Sequence, residues 1–379
     1  MLLNELKNLD IYLLFFPESA QSQPEIPGYR FENMSVLKPV FLTQPKTPSL
    51  FKVACQFVFR QKPQLQHVTL FPSVNRQNVS IVQKLIADLK PDIIWAEHLE
   101  SLLLISQLKY VPSKVVYSHH DFTWKLILIR RKKFKDFVRS FLYYLTQKTA
   151  IRQYGSFVVG GASNELQEIK TINPACATLY LPTLYPVLPA SKNFNQGPLL
   201  RIVHLGSSKA TANHIGIKNL LNVILPRLQN KIEFECHMIG AVDGSDKNMS
   251  YLLRQDNVVY EGFVQELASV LRAGDIHILP YDKATGSRTR YSVAMNHGQV
   301  LVAHQAAVEG IEGLVHNENC IIENSLEGIA DAIIRLYKNP DERMRLGGNA
   351  KKWYDETHQL TPNARLLKDW LSKNNICHG

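Results

Sequence analysis

Glycine is almost confined to the later part of this chain, and that division decides where a backbone-lined ligand site can be built. Up to Tyr154 there is one glycine, Gly28, while the other eighteen lie from Gly155 onward. A strand-to-helix turn that brings backbone N–H groups up to an anion needs residues without a Cβ. A nucleotide site therefore belongs after Gly155. The patterning there agrees. Strand-like apolar runs at 201–205, 233–239, 258–260, 275–279 and 300–303 alternate with helical spacing at 217–228, 266–272 and from Ser287. Four of these strands run into a glycine, Gly206, Gly240, Gly262 and Gly286.

Before Gly155 the chain still alternates. Ile11–Phe16, Asp92–Trp95, Val115–Tyr117 and Ser156–Val159 read as strands, and Val79–Leu89 has helical spacing. Such alternation predicts a parallel sheet with helices on both faces. The stretch Leu181–Pro198 holds four prolines among polar turn residues and reads as an interdomain linker. The fold class expected is α/β, with two doubly wound, Rossmann-like domains. Residues 1–190 form the first, 191–357 the second, and 358–379 a terminal helical segment that could pack back on the first. Helices are expected at 326–338, 341–357 and 364–373.

The 379 residues suffice for two ordinary domains, and 45% hydrophobic with 20% charged residues excludes extensive disorder. No apolar run is long enough to span a bilayer, and acidic residues stand where a signal peptide needs a basic start, so a cytoplasmic location is expected. The five cysteines are scattered and show no metal-ligand spacing, which reads as reduced thiols. No metal or cofactor is expected; Asp243 and Asp246 read as turn formers. A net charge of +10 implies an acidic partner. Nucleic acid is not expected to be that partner, since no aromatic–basic RNA motif or recognition helix is present.

The nineteen residues Pro280–Gly298, PYDKATGSRTRYSVAMNHG, join a strand end, a phosphate-sized loop and a helix start. Gly286, Ser287 and Thr289 are small enough to admit a ligand to the backbone, and Arg288 and Arg290 carry forks that match phosphate oxygens. A helix beginning there would turn its positive end to the same place. An ordinary capped surface helix with solvated arginines is the alternative.

Taken in order, HLGSS with Asn213, HMIG, VVYEGFVQELASVLRAGDIHILP, GSRTR, AMNHG, LVAH and AVEGI resemble the nucleotide-sugar-binding domain of GT-B glycosyltransferases, family 4 in particular, over about residues 200–357. The resemblance implies a nucleotide-sugar donor in a cleft between the domains. Gly206, Ser207 and Ser208 would lie by its diphosphate, Gly262, Phe263 and Val264 by its base, and Ser287, Arg288, Thr289 and Arg290 at its phosphates. It further implies a hydroxyl acceptor on a glycan or lipid carrier, and retention of anomeric configuration. Many members carry two glutamates eight positions apart where this chain has Thr285 and Val293; Glu309 stands nearby as a partial substitute. That departure keeps a second reading open, a non-enzymatic scaffold that binds a phosphorylated ligand or a partner glycosyltransferase.

In the first domain, His119, His120 and Asp121 follow the strand at Val115, and His120-Asp121 matches a His-Asp pair common in such relatives. An imidazole there could orient the acceptor, with Asp121 fixing its tautomer. Seven basic residues against one acid lie between Lys125 and Arg139, and Phe134, Phe137, Val138, Phe141, Leu142 and Leu145 fall on one side of a helix. Such a helix either packs on the core with a solvated basic face or lies on an anionic membrane surface, which would make the protein peripheral on the inner face of the membrane.

Overall fold

Isoleucine and valine in unbroken short runs favour strands buried on both faces, the signature of a parallel sheet. The computed structural model describes residues 11–13, 34–36, 71, 73–111, 113–130, 133–188, 199–208, 210–241, 253–283 and 288–376. Ser287, Gly286, Thr285, Asp243 and Asp246 lie outside them, as do 189–198 of the expected linker.

The chain divides into two compact units. Unit 1 comprises 1–160, 165–181 and 360–379; unit 2 comprises 161–164 and 182–359. The boundary falls at Leu181 and not near residue 190, because the proline-rich stretch is pinned to unit 2. Ser292 Oγ donates to the Thr183 carbonyl at 3.0 Å, and the Leu188 N–H donates to Asn296 Oδ1 at 3.0 Å.

In unit 1, β1 (Ile11–Leu13) and β2 (Met34–Val36) pair in parallel. Helix α1 (Arg76–Leu89) starts on Asn75, whose side chain accepts the Asn78 N–H at 3.0 Å, a standard N-cap. Then follow β3 (Ile93–Glu97), α2 (His98–Ser106), β4 (Lys114–His119), α3 (Thr123–Arg130), α4 (Phe134–Tyr154), β5 (Phe157–Gly160), α5 (Ser163–Ile172) and β6 (Ala177–Tyr180). The four strands β3 to β6 are parallel and neighbour one another in chain order. Leu367, Trp370 and Leu371 of the terminal helix (Leu360–Lys373) are buried with Val116, Val159, Leu179 and Leu181 of this sheet.

Unit 2 runs β7 (Leu200–Leu205), α6 (Thr211–Asn219), a π turn at Leu220–Ile224, α7 (Leu225–Leu228), β8 (Phe234–Ile239), β9 (Val258–Gly262), β10 (Ile276–Leu279), α8 (Arg290–Asn296), β11 (Val300–His304), α9 (Gln305–Val308), β12 (Ile321–Glu323), α10 (Leu326–Lys338) and α11 (Pro340–Thr357). The terminal helix of unit 1 is then α12. The helix expected over 266–272 is only a 3-10 turn at Leu267–Ser269, since the chain must turn back through Gly274 to start β10. All six strands are parallel in the order β12-β11-β10-β7-β8-β9. Ile202, Ile276, Ile278, Val300 and Val302 are sealed from solvent, each stabilising the unit by roughly 1.5–3 kcal/mol.

That strand order fixes where a ligand can enter. The chain leaves β7 toward β8 and β9, then returns to β10 on the other side of β7 and continues outward. Helix connections to the two sides therefore part above the carboxyl ends of β7 and β10, opening the crevice that doubly wound folds use.

Candidate active site

At this switch point Gly206 ends β7 with φ 142°, and a Cβ there would stand 2.5 Å from Asn213 Nδ2 and 2.9 Å from Arg290 Nε. Gly240 ends β8 with φ 129°, and its Cβ would stand 2.6 Å from the Gly206 carbonyl carbon. Only glycine admits both turns at this spacing. The strand ends are bonded to one another: Gly206 N–H donates to the Ile239 carbonyl at 2.8 Å, and Gly240 N–H to the Gly262 carbonyl at 2.7 Å. Ser207 Oγ and the Ser208 N–H both donate to the Ala241 carbonyl, at 2.9 and 3.0 Å. Asn213, on α6, donates to the Ser207 carbonyl at 2.8 Å, and its buried Oδ1 meets no partner among the described residues.

Arg290 is the first residue of α8, and its guanidinium sits 5.4 Å from the centre of the Tyr281 ring. The ring occupies space that Gly216 leaves on α6, where a Cβ would fall 2.3 Å from Tyr281 Cε1. Below it, the Tyr281 hydroxyl lies 3.5 Å from His204 Nε2. Burial, then the Arg290 and His277 charges, push His204 down to about 3, so the ring under the guanidinium is neutral. A cation held over an aromatic face beside a glycine turn is a ready anion receptor.

Arg288 differs from expectation. It is buried, and its guanidinium donates to the Glu309 carbonyl and, at 3.4 Å, to the Ala306 carbonyl. Its fork shapes the 306–309 segment. Thr289 and the Glu309 side chain are exposed, while Phe263 stands 83% exposed just past Gly262. Val293 is buried with Val203, Ile239 and Leu271, and half-buried Val264 packs on that cluster.

In unit 1 the edge at β3 and β4 is built from side chains. His119 is buried, and both ring nitrogens are engaged inside the unit: Nε2 lies 2.8 Å from Glu165 Oε2, and Nδ1 lies 3.1 Å from the Tyr117 hydroxyl. Both contacts brace the turn. His120 is 38% exposed in its side chain, and its Nε2 lies 2.5 Å from Glu97 Oε2. Glu97, and not Asp121, is thus its carboxylate partner. Burial would raise the Glu97 carboxyl, but the hydrogen bond and charge of His120, with Trp95 and Ser118, bring it below its ordinary value. Asp121 is pushed up by burial despite the pull of His119. Glu97 and His98 escaped the sequence reading; the signal available was two titratable residues, WAEH, straight after an apolar strand.

Among the described residues no group of three or more His, Cys, Asp or Glu is arranged to hold a metal, and no helix is long and apolar enough to cross a membrane. The basic segment splits at mid-helix. Phe134, Phe137 and Phe141 of α4 are 84%, 53% and 58% exposed, whereas Leu142 is buried.

Two units, each with a parallel sheet, the second with a glycine-lined switch point beside an arginine, give the chain the α/β GT-B fold of its structural neighbours. Residues 200–339 match the family described as Glycosyl transferases group 1. No curated protein sequence matches the chain. Among solved structures, sucrose-phosphate synthase from Thermosynechococcus elongatus is similar with a TM-score of 0.70 at 13% identity, over 98% of this chain and 91% of that one. Anabaena HepE in complex with UDP and glucose gives 0.60 at 14% identity, over 90% and 86%. TarM gives 0.62 at 13% identity over 78% of this chain, which spans only 58% of the TarM chain. At these identities the likeness is one of fold.

Proposed function

We propose that this protein is a glycosyltransferase that moves a sugar from a nucleoside-diphosphate donor to a hydroxyl acceptor. The observation that carries this reading is the β7/β10 switch point of unit 2, where Gly206, Ser207 and Asn213 meet Arg290 on its Tyr281 platform. The diphosphate gains charge as the sugar leaves, and a fixed guanidinium beside the turn stabilises that charge without a metal. The match to group 1 glycosyl transferases over this segment supports it, as does a neighbour of the same fold that holds UDP and glucose. Exposed Phe263 and half-buried Val264 offer the base an apolar surface. Retention of configuration follows from the resemblance alone.

On the acceptor side, half-buried His120 is the imidazole offered, and a glycan or lipid-linked hydroxyl is its partner in this reading. The start of α4 supports a membrane-borne acceptor, because Phe134, Phe137 and Phe141 stand exposed among Lys133, Lys135 and Arg139. Aromatic rings with lysines and arginines suit the interface of an anionic bilayer on the cytoplasmic side. A scaffold without turnover is the second reading, favoured by the burial of Val293 where a donor-binding carboxylate would stand. A thermal-shift screen against common nucleotide sugars, followed by a transfer assay, separates the two. A donor that raises the melting temperature and is consumed supports the enzyme; no binding at millimolar donor sinks it.

A further inference from the structure

Unit 1 carries a device at its strand ends that the transferase reading does not by itself supply. Glu97 closes β3 and His120 follows β4, on adjacent parallel strands whose register sets Glu97 beside Ser118. One Glu97 oxygen accepts from Trp95 Nε1 at 2.9 Å, which leaves the other aimed at His120 Nε2, 2.5 Å away. Ser118 Oγ, 3.5 Å away, also lies on Nε2. The His98 ring lies over the His120 ring, centroids 3.8 Å apart and tilted by 30°. To reach that place His98 takes φ 62°, a left-handed conformation that costs a residue with a Cβ about 1–2 kcal/mol. Strain held at a strand end beside a paired carboxylate and imidazole points to a geometry kept for use.

We propose that Glu97 is a positioning residue that fixes His120 as the Nε2–H tautomer, leaving the Nδ1 lone pair to accept a hydrogen bond from the acceptor hydroxyl, with His98 setting the plane of the ring. When the imidazole is neutral, a proton between Nε2 and a carboxylate oxygen at this distance sits on the nitrogen, and the charge-assisted bond holds it there. Burial, followed by the neighbouring His120, lowers His98 from its ordinary value, so the covering ring is uncharged at neutral pH. An uncharged His98 does not compete with His120 for the Glu97 carboxylate. The role concerns hydrogen bonding and orientation; no bond of the substrate is broken by these three residues.

The acceptor half of this proposal rests on the transferase reading, and the tautomer half does not. Nitrogen NMR of protein labelled at histidine distinguishes them, with the His120 signals assigned by their loss in His120→Gln. The wild type should show a protonated Nε2 and an unprotonated Nδ1. Glu97→Gln should yield a mixture of tautomers and lower kcat on the order of 10- to 100-fold with the donor KM unchanged. Glu97→Asp, which keeps the carboxylate, should recover the single tautomer and part of the rate. Glu97 is half exposed, so melting curves of both variants should match the wild type. A wild type that carries its proton on Nδ1, or a Glu97→Gln protein with unchanged tautomer and rate, overturns the proposal. A wild type with the expected tautomer, lost in Glu97→Gln, but no turnover with any nucleotide sugar supports the positioning role and overturns the transferase reading alone.

Discussion

In unit 2 the strands β7, β8 and β9 end in Gly206, Gly240 and Gly262, and the turn above them is made of backbone N–H and carbonyl groups with a single half-buried arginine placed across it. In unit 1 the strands β3 and β4 end in Glu97 and His119, and the same kind of edge carries imidazoles, carboxylates and an indole. Both sheets are parallel and both edges lie at strand carboxyl ends. The contrast separates two kinds of work. In the proposed function the unit 2 edge takes an anion that is the same whatever sugar it bears, while the titratable side chains of unit 1 order a hydroxyl and tell its surroundings apart. It also predicts different vulnerabilities.

Acid should divide the units most strongly. His204, His277 and His358 of unit 2 are nearly sealed, and burial foremost holds them at about 3, 4 and 4. Unfolded, each returns to about 6.5. Folded values below the unfolded one mean that this stability is complete above about pH 6.5 and is lost as the pH falls toward 4, by up to roughly 1.4 kcal/mol per pH unit per histidine. In unit 1, His119 is instead matched by Glu165. Hydrogen exchange resolved by segment should show unit 2 opening first between pH 6.5 and 4.5. Earlier opening of unit 1 would remove buried neutral histidine as a distinguishing feature of unit 2.

The two arginines of the loop sharpen the comparison within unit 2. Arg290→Ala should reduce kcat/KM about 100-fold, or roughly 3 kcal/mol, and weaken uridine diphosphate binding with little change in melting temperature. Arg288→Ala should instead lower the melting temperature, since it strips the Glu309 and Ala306 carbonyls of a charged donor, at a cost of about 1–3 kcal/mol. Titration calorimetry beside thermal melts reads both. Interchanged outcomes would move the anion receptor from Arg290 to Arg288.

Gly206→Ala comes next in size. The substitution meets an unfavourable φ and a Cβ 2.5 Å from the amide of Asn213, itself bonded to the Ser207 carbonyl, so a loss of about 2 kcal/mol is expected together with displaced Arg290. Urea unfolding measures the first and donor affinity the second. An alanine accepted with neither effect would show that the strand-end spacing in unit 2 is not tight.

These contrasts also explain what could be read from the residues alone. The glycine-ended strands, the alternation and the helix Leu326–Lys338 were legible because backbone conformation and burial leave a local mark on the sequence. Near the proposed site, the placement of Arg290 at the start of a helix was legible in the same way. The partner of His120 was not, because Glu97 comes from another strand, 23 positions earlier, and only sheet register joins them. Adjacent Asp121 was the nearer carboxylate in sequence and the wrong one in space. Arg288 shows the converse. Its side chain suits a donor site by type, yet its fork is bonded to the Glu309 and Ala306 carbonyls, a fact set by tertiary neighbours that no spacing rule carries.

The smallest expected change in stability carries the membrane half of the reading. Helical spacing set Phe134, Phe137, Phe141 and Leu142 on one side, but only Leu142 is buried, so the side chains nearest the basic cluster contribute little to the core. Replacing Phe134 and Phe137 together with serine should shift unfolding by no more than about 0.5 kcal/mol. The same double variant should lose most of its binding to vesicles that contain anionic lipid, and wild-type binding should weaken as salt rises. A variant that unfolds readily would mean these rings are core after all. Unchanged binding to anionic vesicles would leave α4 as a solvated helix, and unit 1 would then take its acceptor from solution.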